Sequence, residues 1–151
     1  IIVGEGLLRK KLQRKVLKLN LSNHVKFTGY IQHSNLLEYY NLLSIFVAVS
    51  TRESFGVAIL EAAACGIPSI TSNVGGLPEV NIHNKTGFVI PPENPKKLAD
   101  SIMKLYKNEN LRKKMGKNAK KRVVQSFNWE NNVNKMISIY ESSLSGYNEL
   151  R

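Results

Sequence analysis

Short apolar runs alternate with helical patterns along the whole chain, and no other feature restricts the possible folds as strongly. Ile1–Val3, Val25–Phe27, Ile45–Val49, Ser69–Thr71 and Thr86–Ile90 read as strands. A charged helix from about Leu7 to Leu19 follows the first. Asn35-Leu36-Leu37-Glu38 is a capping-box pattern that opens a helix to about Leu43. An apolar helix covers Val57–Cys65 and stops at Gly66 with Pro68 beyond, and Asn73–Glu79 makes a loop with a brief helix. Asn94-Pro95 supplies the cap and first position of a helix to about Tyr106, and two more helices lie near Asn110–Gln125 and Trp129–Ser142. Ile45–Val49 is apolar without interruption, as expected of a strand buried on both faces. Strands separated by helices pair in parallel, so the expected fold class is α/β, a Rossmann-like parallel sheet flanked by helices. Ligands in such sheets bind beyond the carboxyl ends of the strands. Gly4, Gly6, Gly29, Glu53 and the pair Gly75-Gly76 all follow strand ends, and this topology predicts that they gather along one edge.

The segment Glu53–Gly66 carries the most chemical information. From Val57 to Cys65 every side chain is apolar or small except Glu61. A helix apolar all round is normally buried, and a carboxylate on it is costly unless paired or hydrogen-bonded. Glu53 lies just before the helix, and eight positions at ~3.6 residues per turn place the two carboxylates within ~80° of one helix face. Ser54 is the expected N-cap, and Gly56 lets a ligand approach the N–H groups of the first turn. Backbone dipoles for phosphate and carboxylates for hydroxyls suit a nucleotide sugar. The plainer alternatives are a structural Glu61 held by an arginine from elsewhere and a Glu53 that only favours the helix macrodipole.

At 151 residues the chain is long enough for one domain with a real core. No apolar run is as long as the ~18–20 residues of a membrane span, and Ile1-Ile2-Val3-Gly4 has no basic lead-in of a signal peptide. Cys65 is the one cysteine, which excludes an intrachain disulfide and a cysteine metal site and suits a reducing cytoplasm. The net charge is +11, with eleven basic residues between Lys96 and Arg122 and seven between Arg9 and Lys26. That balance raises nucleic acid or anionic lipid as partners. The basic stretch has no interleaved aromatics, and Leu111, Met115, Ala119 and Val123 recur every fourth residue, so its lysines read as the solvated face of a helix. Peripheral contact of that face with an anionic membrane is the second reading, and nucleic acid is not expected.

The remaining motifs say little alone. Gly4-Glu5-Gly6 has no third glycine in the dinucleotide spacing. Gly75-Gly76 permits close backbone approach or a left-handed turn, and Glu79 reads equally as a first-turn helix acid. His24, His33 and His83 have no metal-ligand spacing, so no metal is expected. Arg52 could reach a phosphate or lie in an exposed loop.

Together these segments resemble the C-terminal, donor-binding half of the retaining glycosyltransferases of the "glycosyl transferases group 1" family, which have the two-domain GT-B fold. The resemblance runs over nearly all of the chain. It rests on Gly4-Glu5-Gly6-Leu7-Leu8, Val25 through Ile31, Glu53-Ser54-Phe55-Gly56 through Glu61-Ala62, Cys65-Gly66-Ile67-Pro68, Gly75 through Glu79, and Phe127-Asn128-Trp129. The paired-glutamate motif is the specific element.

The resemblance implies residue roles. Glu53 matches the catalytic-site acid beside the donor sugar, and Glu61 the acid that hydrogen-bonds the ribose. Phe55, Gly56 and Val57 would turn backbone N–H groups to the sugar and diphosphate, Tyr30 and Ile31 would read the base, and Gly6 belongs to the glycine turn. It also implies a metal-independent, cofactor-free hexosyl or glycosyl transfer from a nucleotide-diphosphate sugar to a polysaccharide or glycolipid acceptor, at the cytoplasmic side of the membrane. The family's diphosphate-binding Arg and Lys lie upstream of Ile1, as does the N-terminal domain that carries the acceptor. Residues 1–151 are therefore expected to be a donor-binding domain truncated at its N-terminal edge, inactive by itself, with its closing helix at about 129–142 packed on the N-terminal domain. Val49-Ser50 replaces a common Pro-Ser, and Ser44 a common Asp. A sugar-nucleotide epimerase of the same architecture and a basic nucleic-acid-binding domain are the alternatives.

Overall fold

The computed structural model describes residues 1–148. It divides into two units, Ile1–Asn41 and the residues from Leu42 onward. All ladders in both are parallel, as the alternation requires, but they form a two-stranded and a three-stranded sheet.

In the first unit, β1 (Ile2–Val3) pairs with β2 (Phe27–Gly29), and α1 (Arg9–Lys18) forms the crossover. Asn20 adopts φ 55° and ends α1, with the Asn20 N–H on Leu17 O and the Leu21 N–H on Val16 O, each at 3.0 Å. These two bonds satisfy carbonyls that the helix end would otherwise leave open. The capping box at Asn35 does not form. Asn35 already sits inside a 3-10 turn over His33–Asn35, which starts from extended Gln32, and α2 runs only over Leu36–Asn41. A side-chain cap needs an extended residue at the cap position, and Asn35 is not one.

In the second unit the strand order is β3 (Phe46–Ala48), β4 (Ser69–Ser72), β5 (Gly87–Ile90), with Val47 opposite Ile70 and Ile70 opposite Phe88. The alternation of side chains sends Ile70, Phe88 and Ile90 to one face, where they pack with Leu105 of α5 (Pro95–Lys107) and Met115 of α6 (Glu109–Ser126). The other face packs Phe46 and Ala48 with Ile59 of α3 (Val57–Ala64) and Leu77 and Val80 of α4 (Leu77–Val80). Only the central strand, β4, is buried throughout. At β3 the expectation of burial on both faces fails: Val47 and Val49 are exposed, because the α5–α6 layer that covers Ile70, Phe88 and Ile90 does not shield them. A buried Asn81 side chain ties the strands together, donating to Ser69 O, Thr71 Oγ1 and Phe88 O at 3.1 Å each and accepting from Thr86 Oγ1 at 2.9 Å.

The helix starts follow local chemistry. Asn94 Oδ1 accepts from the Lys97 N–H, and Asn108 Oδ1 from the Leu111 N–H, both at 2.9 Å. On α6 the expected stripe is the inner one: Met115 and Ala119 are buried, whereas Lys113, Lys114, Lys117, Lys120 and Lys121 face solvent. Gly116 lets α6 approach the α3 terminus, since a Cβ there would lie 2.0 Å from Gly66 O. The last helix, α7 (Trp129–Asn148), is longer than expected and presents Trp129, Val133, Ile137, Tyr140 and Leu144, all exposed, at helical spacing.

Candidate functional site

The loop from Val49 to Gly56 links the carboxyl end of β3 to α3 and carries Glu53. Its course is set by the turn after β4. Ser72 Oγ donates to Ser50 O at 2.6 Å, and the Gly76 N–H donates to Ser54 O at 3.1 Å. Gly75 has φ 49°, and a Cβ on it would lie 1.7 Å from Glu53 O; one on Gly76 would lie 2.6 Å from Ser54 O. The glycine pair is thus required by close approach of two backbones. Within this unit the structure brings Glu53 and Gly75-Gly76 together beyond the strand ends, as the topology predicts.

Two details of the sequence reading are corrected. Ser54 is not the N-cap: α3 starts at Val57 with Gly56 in the cap position at φ 96°, without a side-chain cap bond. That left-handed geometry, with a Cβ position 2.8 Å from Leu77 Cδ2, favours glycine over any other residue. Glu53 therefore precedes the helix in a loop, and the helix-face angle between the two glutamates does not apply. Nor is α3 buried all round. Ile59, Ala62 and Ala63 are buried, while Val57, Ala58 and Ala64 are exposed and Glu61 is half-buried on that outer stripe. A half-exposed carboxylate of this kind needs no buried counter-ion.

Glu53 Oε1 accepts from the Ser54 N–H at 3.0 Å and, more weakly, from the Phe55 N–H at 3.4 Å. The carboxylate rests on the backbone donors of its own loop, and in the first turn of α3 the Ile59 N–H bonds to Gly56 O at 2.9 Å, while the Val57 and Ala58 N–H groups precede the helix's own bonding pattern. The site thus places one acid and a set of amide dipoles at a strand-to-helix turn. A cavity of about 330 Å³ opens beyond the ends of β3 and β5, lined by Val49, Thr51, Ile90, Pro91 and Asn94 among others. In the first unit, the Gly4 N–H donates to Gly29 O at 2.8 Å, Gly6 has open space around it, and Tyr30 is exposed with Ile31 half-buried beside it. Glu5 and Arg9 form an ion pair against Gly29.

Residues that the sequence reading passed over support the loop. Arg122, counted there only among the eleven basic residues, donates to Glu79 O at 2.5 Å and Val80 O at 3.3 Å, the last carbonyls of α4. Its place seven residues after Met115, on the same helical stripe, is the signal that separates it from the neighbouring lysines. Glu79 is a first-turn acid of α4, and the His83 Nδ1 accepts from the Val89 N–H at 3.0 Å. Among the described residues no group of three His, Cys, Asp or Glu could hold a metal ion, and no helix is long and apolar enough to cross a membrane.

The family model for glycosyl transferases group 1 matches residues 1–122. The chain belongs to that family. N-acetyl-alpha-D-glucosaminyl L-malate synthase of Bacillus anthracis is 34% identical over 140 residues, which cover 93% of this chain and 36% of that protein. Among solved structures, sucrose-phosphate synthase of Thermosynechococcus elongatus superposes with a TM-score of 0.83 at 35% identity, covering 93% of this chain and 35% of that one. HepE of Anabaena, solved in complex with UDP and glucose, gives a TM-score of 0.83 at 27% identity, covering 93% and 39%. The chain therefore has the fold of the corresponding part of these GT-B proteins and spans less than two-fifths of their length.

Proposed function

We propose that this chain is the donor-binding part of a retaining glycosyltransferase that takes a nucleotide-diphosphate sugar. The observation that supports it best is the Glu53 loop seated on Gly75-Gly76 at the strand ends, with Glu61 two turns along on the open stripe of α3. On this reading Glu53 meets the donor sugar and Glu61 the ribose, the amides of Phe55, Gly56 and Val57 face the sugar and diphosphate, Tyr30 and Ile31 lie at the base, and Gly6 leaves room in the glycine turn. Transfer is metal-independent and cofactor-free, to a polysaccharide or glycolipid acceptor held by a domain outside this chain. The exposed apolar stripe of α7 suits packing against that domain. The outward lysines of α6 suit a cytoplasmic enzyme that touches an anionic membrane; salt-reversible sedimentation with phosphatidylglycerol vesicles checks this.

The test is a thermal-shift panel of ADP, GDP, UDP and TDP on the full-length protein. A ligand bound only by the folded state raises the melting temperature by mass action. One of the four should do so. Glu61→Ala should weaken it by roughly 1.5–3 kcal/mol of binding free energy, the worth of a hydrogen bond to a charged group. Glu53→Gln should leave nucleoside diphosphate affinity nearly intact and reduce transfer, mainly in turnover. Unchanged affinity in folded Glu61→Ala protein, or full transfer by Glu53→Gln, would overturn these roles.

A further inference from the structure

Glu53 sits on a loop with no regular structure, so something must hold that loop against thermal motion. The turn at Gly75-Gly76 supports it from one side. In addition Phe55, two residues from Glu53, meets the ring of Phe127 edge-on, with centroids 6.0 Å apart and planes at 63°. The Arg122 guanidinium lies over the same Phe127 ring, 5.6 Å from its centroid. Arg122 also holds the Glu79 and Val80 carbonyls, and so holds α4, whose Leu77 closes on Gly56 and Ile59. The contacts form a closed circuit: Phe55 to Phe127, Phe127 to Arg122, Arg122 to α4, and α4 through Leu77 back to Gly56 beside Phe55. An edge-to-face aromatic pair and a cation over a ring are directional contacts, so the circuit fixes orientation as well as distance.

We propose that Arg122 and Phe127 are positioning residues: joined through the Phe127 ring, they clamp Phe55 and α4 and thereby hold Glu53 in register with the donor sugar. Phe127 lies beyond the residues matched by the family model. The inference rests on the donor-site reading above and adds to it two residues that touch neither sugar nor nucleotide. Loosening the clamp displaces Glu53 and the Phe55 amide that bonds to it, while leaving the ribose contact at Glu61, on the body of α3, in place. Misplacement of a reacting group by ~1 Å can cost on the order of a hundredfold in rate.

The test uses the full-length protein and the nucleotide sugar whose diphosphate stabilises the wild type in the panel above, with release of nucleoside diphosphate as the readout per folded molecule. Phe127→Leu and Arg122→Met should each lower turnover about tenfold, with nucleoside monophosphate affinity, which reports the ribose contact at Glu61, within threefold of wild type. Phe127→Tyr, which keeps the ring, should retain at least half the turnover. Phe55→Leu combined with Phe127→Leu should cost little more than either change alone, because both break one contact. A lowered melting temperature with turnover per folded molecule within twofold of wild type in both single variants would reduce the pair to a structural role and overturn the proposal. Should Glu53→Gln keep full turnover, or no nucleotide stabilise the wild type, the donor-site reading falls and the clamp with it. Loss in Glu53→Gln without loss in Phe127→Leu and Arg122→Met removes the clamp alone.

Discussion

The two units obey the same strand-helix-strand logic and differ sharply in what they bury. The second encloses Ile70, Leu77 and Leu105, each fully buried. In the first, α1 has no buried residue, Leu17 is 64% exposed, and burial is confined to Gly29 and Tyr40. A two-stranded ladder with α1 and the short α2 removes too little apolar surface from water to be stable alone, whereas three strands packed on both faces reach a closed core. Regular secondary structure thus says little about where stability resides. The glutamates and their glycine support stand on the well-packed unit. Gly6, Tyr30 and Ile31 stand on a unit that should open locally at lower free energy.

The strongest challenge to this contrast is to damage each core in turn. Leu105→Ala should cost about 2–5 kcal/mol of unfolding free energy, by lost transfer energy and the cavity left behind. Denaturant titration of the purified protein measures it. Gly75→Ala comes next, at about 1–3 kcal/mol, because its Cβ overlaps Glu53 O and the loop must shift. It should also lower the thermal shift produced by the nucleoside diphosphate. In the first unit Leu17→Ala should change stability by no more than about 0.5 kcal/mol, as for other exposed sites. A cost for Leu17→Ala matching that of Leu105→Ala would abolish the distinction between the units.

The smallest effect belongs to Glu109. The hydrogen bond and charge of Lys113, then the charge of Arg112, hold its carboxyl below the ordinary carboxylate range. A depressed folded-state pKa means that its contribution is present at neutral pH, above the unfolded value, and is lost as pH falls through the folded one. The pair is exposed, so Glu109→Gln should move the melting temperature at pH 7 barely measurably and not at all well below the carboxylate range.

Features written in adjacent residues were legible in the sequence. Asn94-Pro95 caps α5 because a cap needs only the next three residues, and the Met115–Ala119 stripe faces inward because one helix has one periodicity. The exposure of Val47 and Val49 was not legible, since it depends on which strands the α5–α6 layer covers. Ser54 was misread because the choice between Ser54 and Gly56 as cap depends on Leu77 closing from another element. The same holds for the candidate site: Glu53 near Gly75-Gly76 follows from parallel topology, whereas Phe55 against Phe127 joins residues far apart in the chain and has no local signature.

The bare apolar stripe of α7 has a consequence for handling the protein. Trp129, Val133, Ile137, Tyr140 and Leu144, where no domain covers them, offer two molecules a side-by-side contact, and the net charge of +11 opposes that approach in dilute buffer. At 1 M salt the Debye length shrinks to about 3 Å and that long-range repulsion vanishes, while hydrophobic contact does not weaken. Colloidal stability of this chain is therefore inverted relative to a protein that salt dissolves: concentrated salt should promote self-association, and low ionic strength at neutral pH should keep it dispersed.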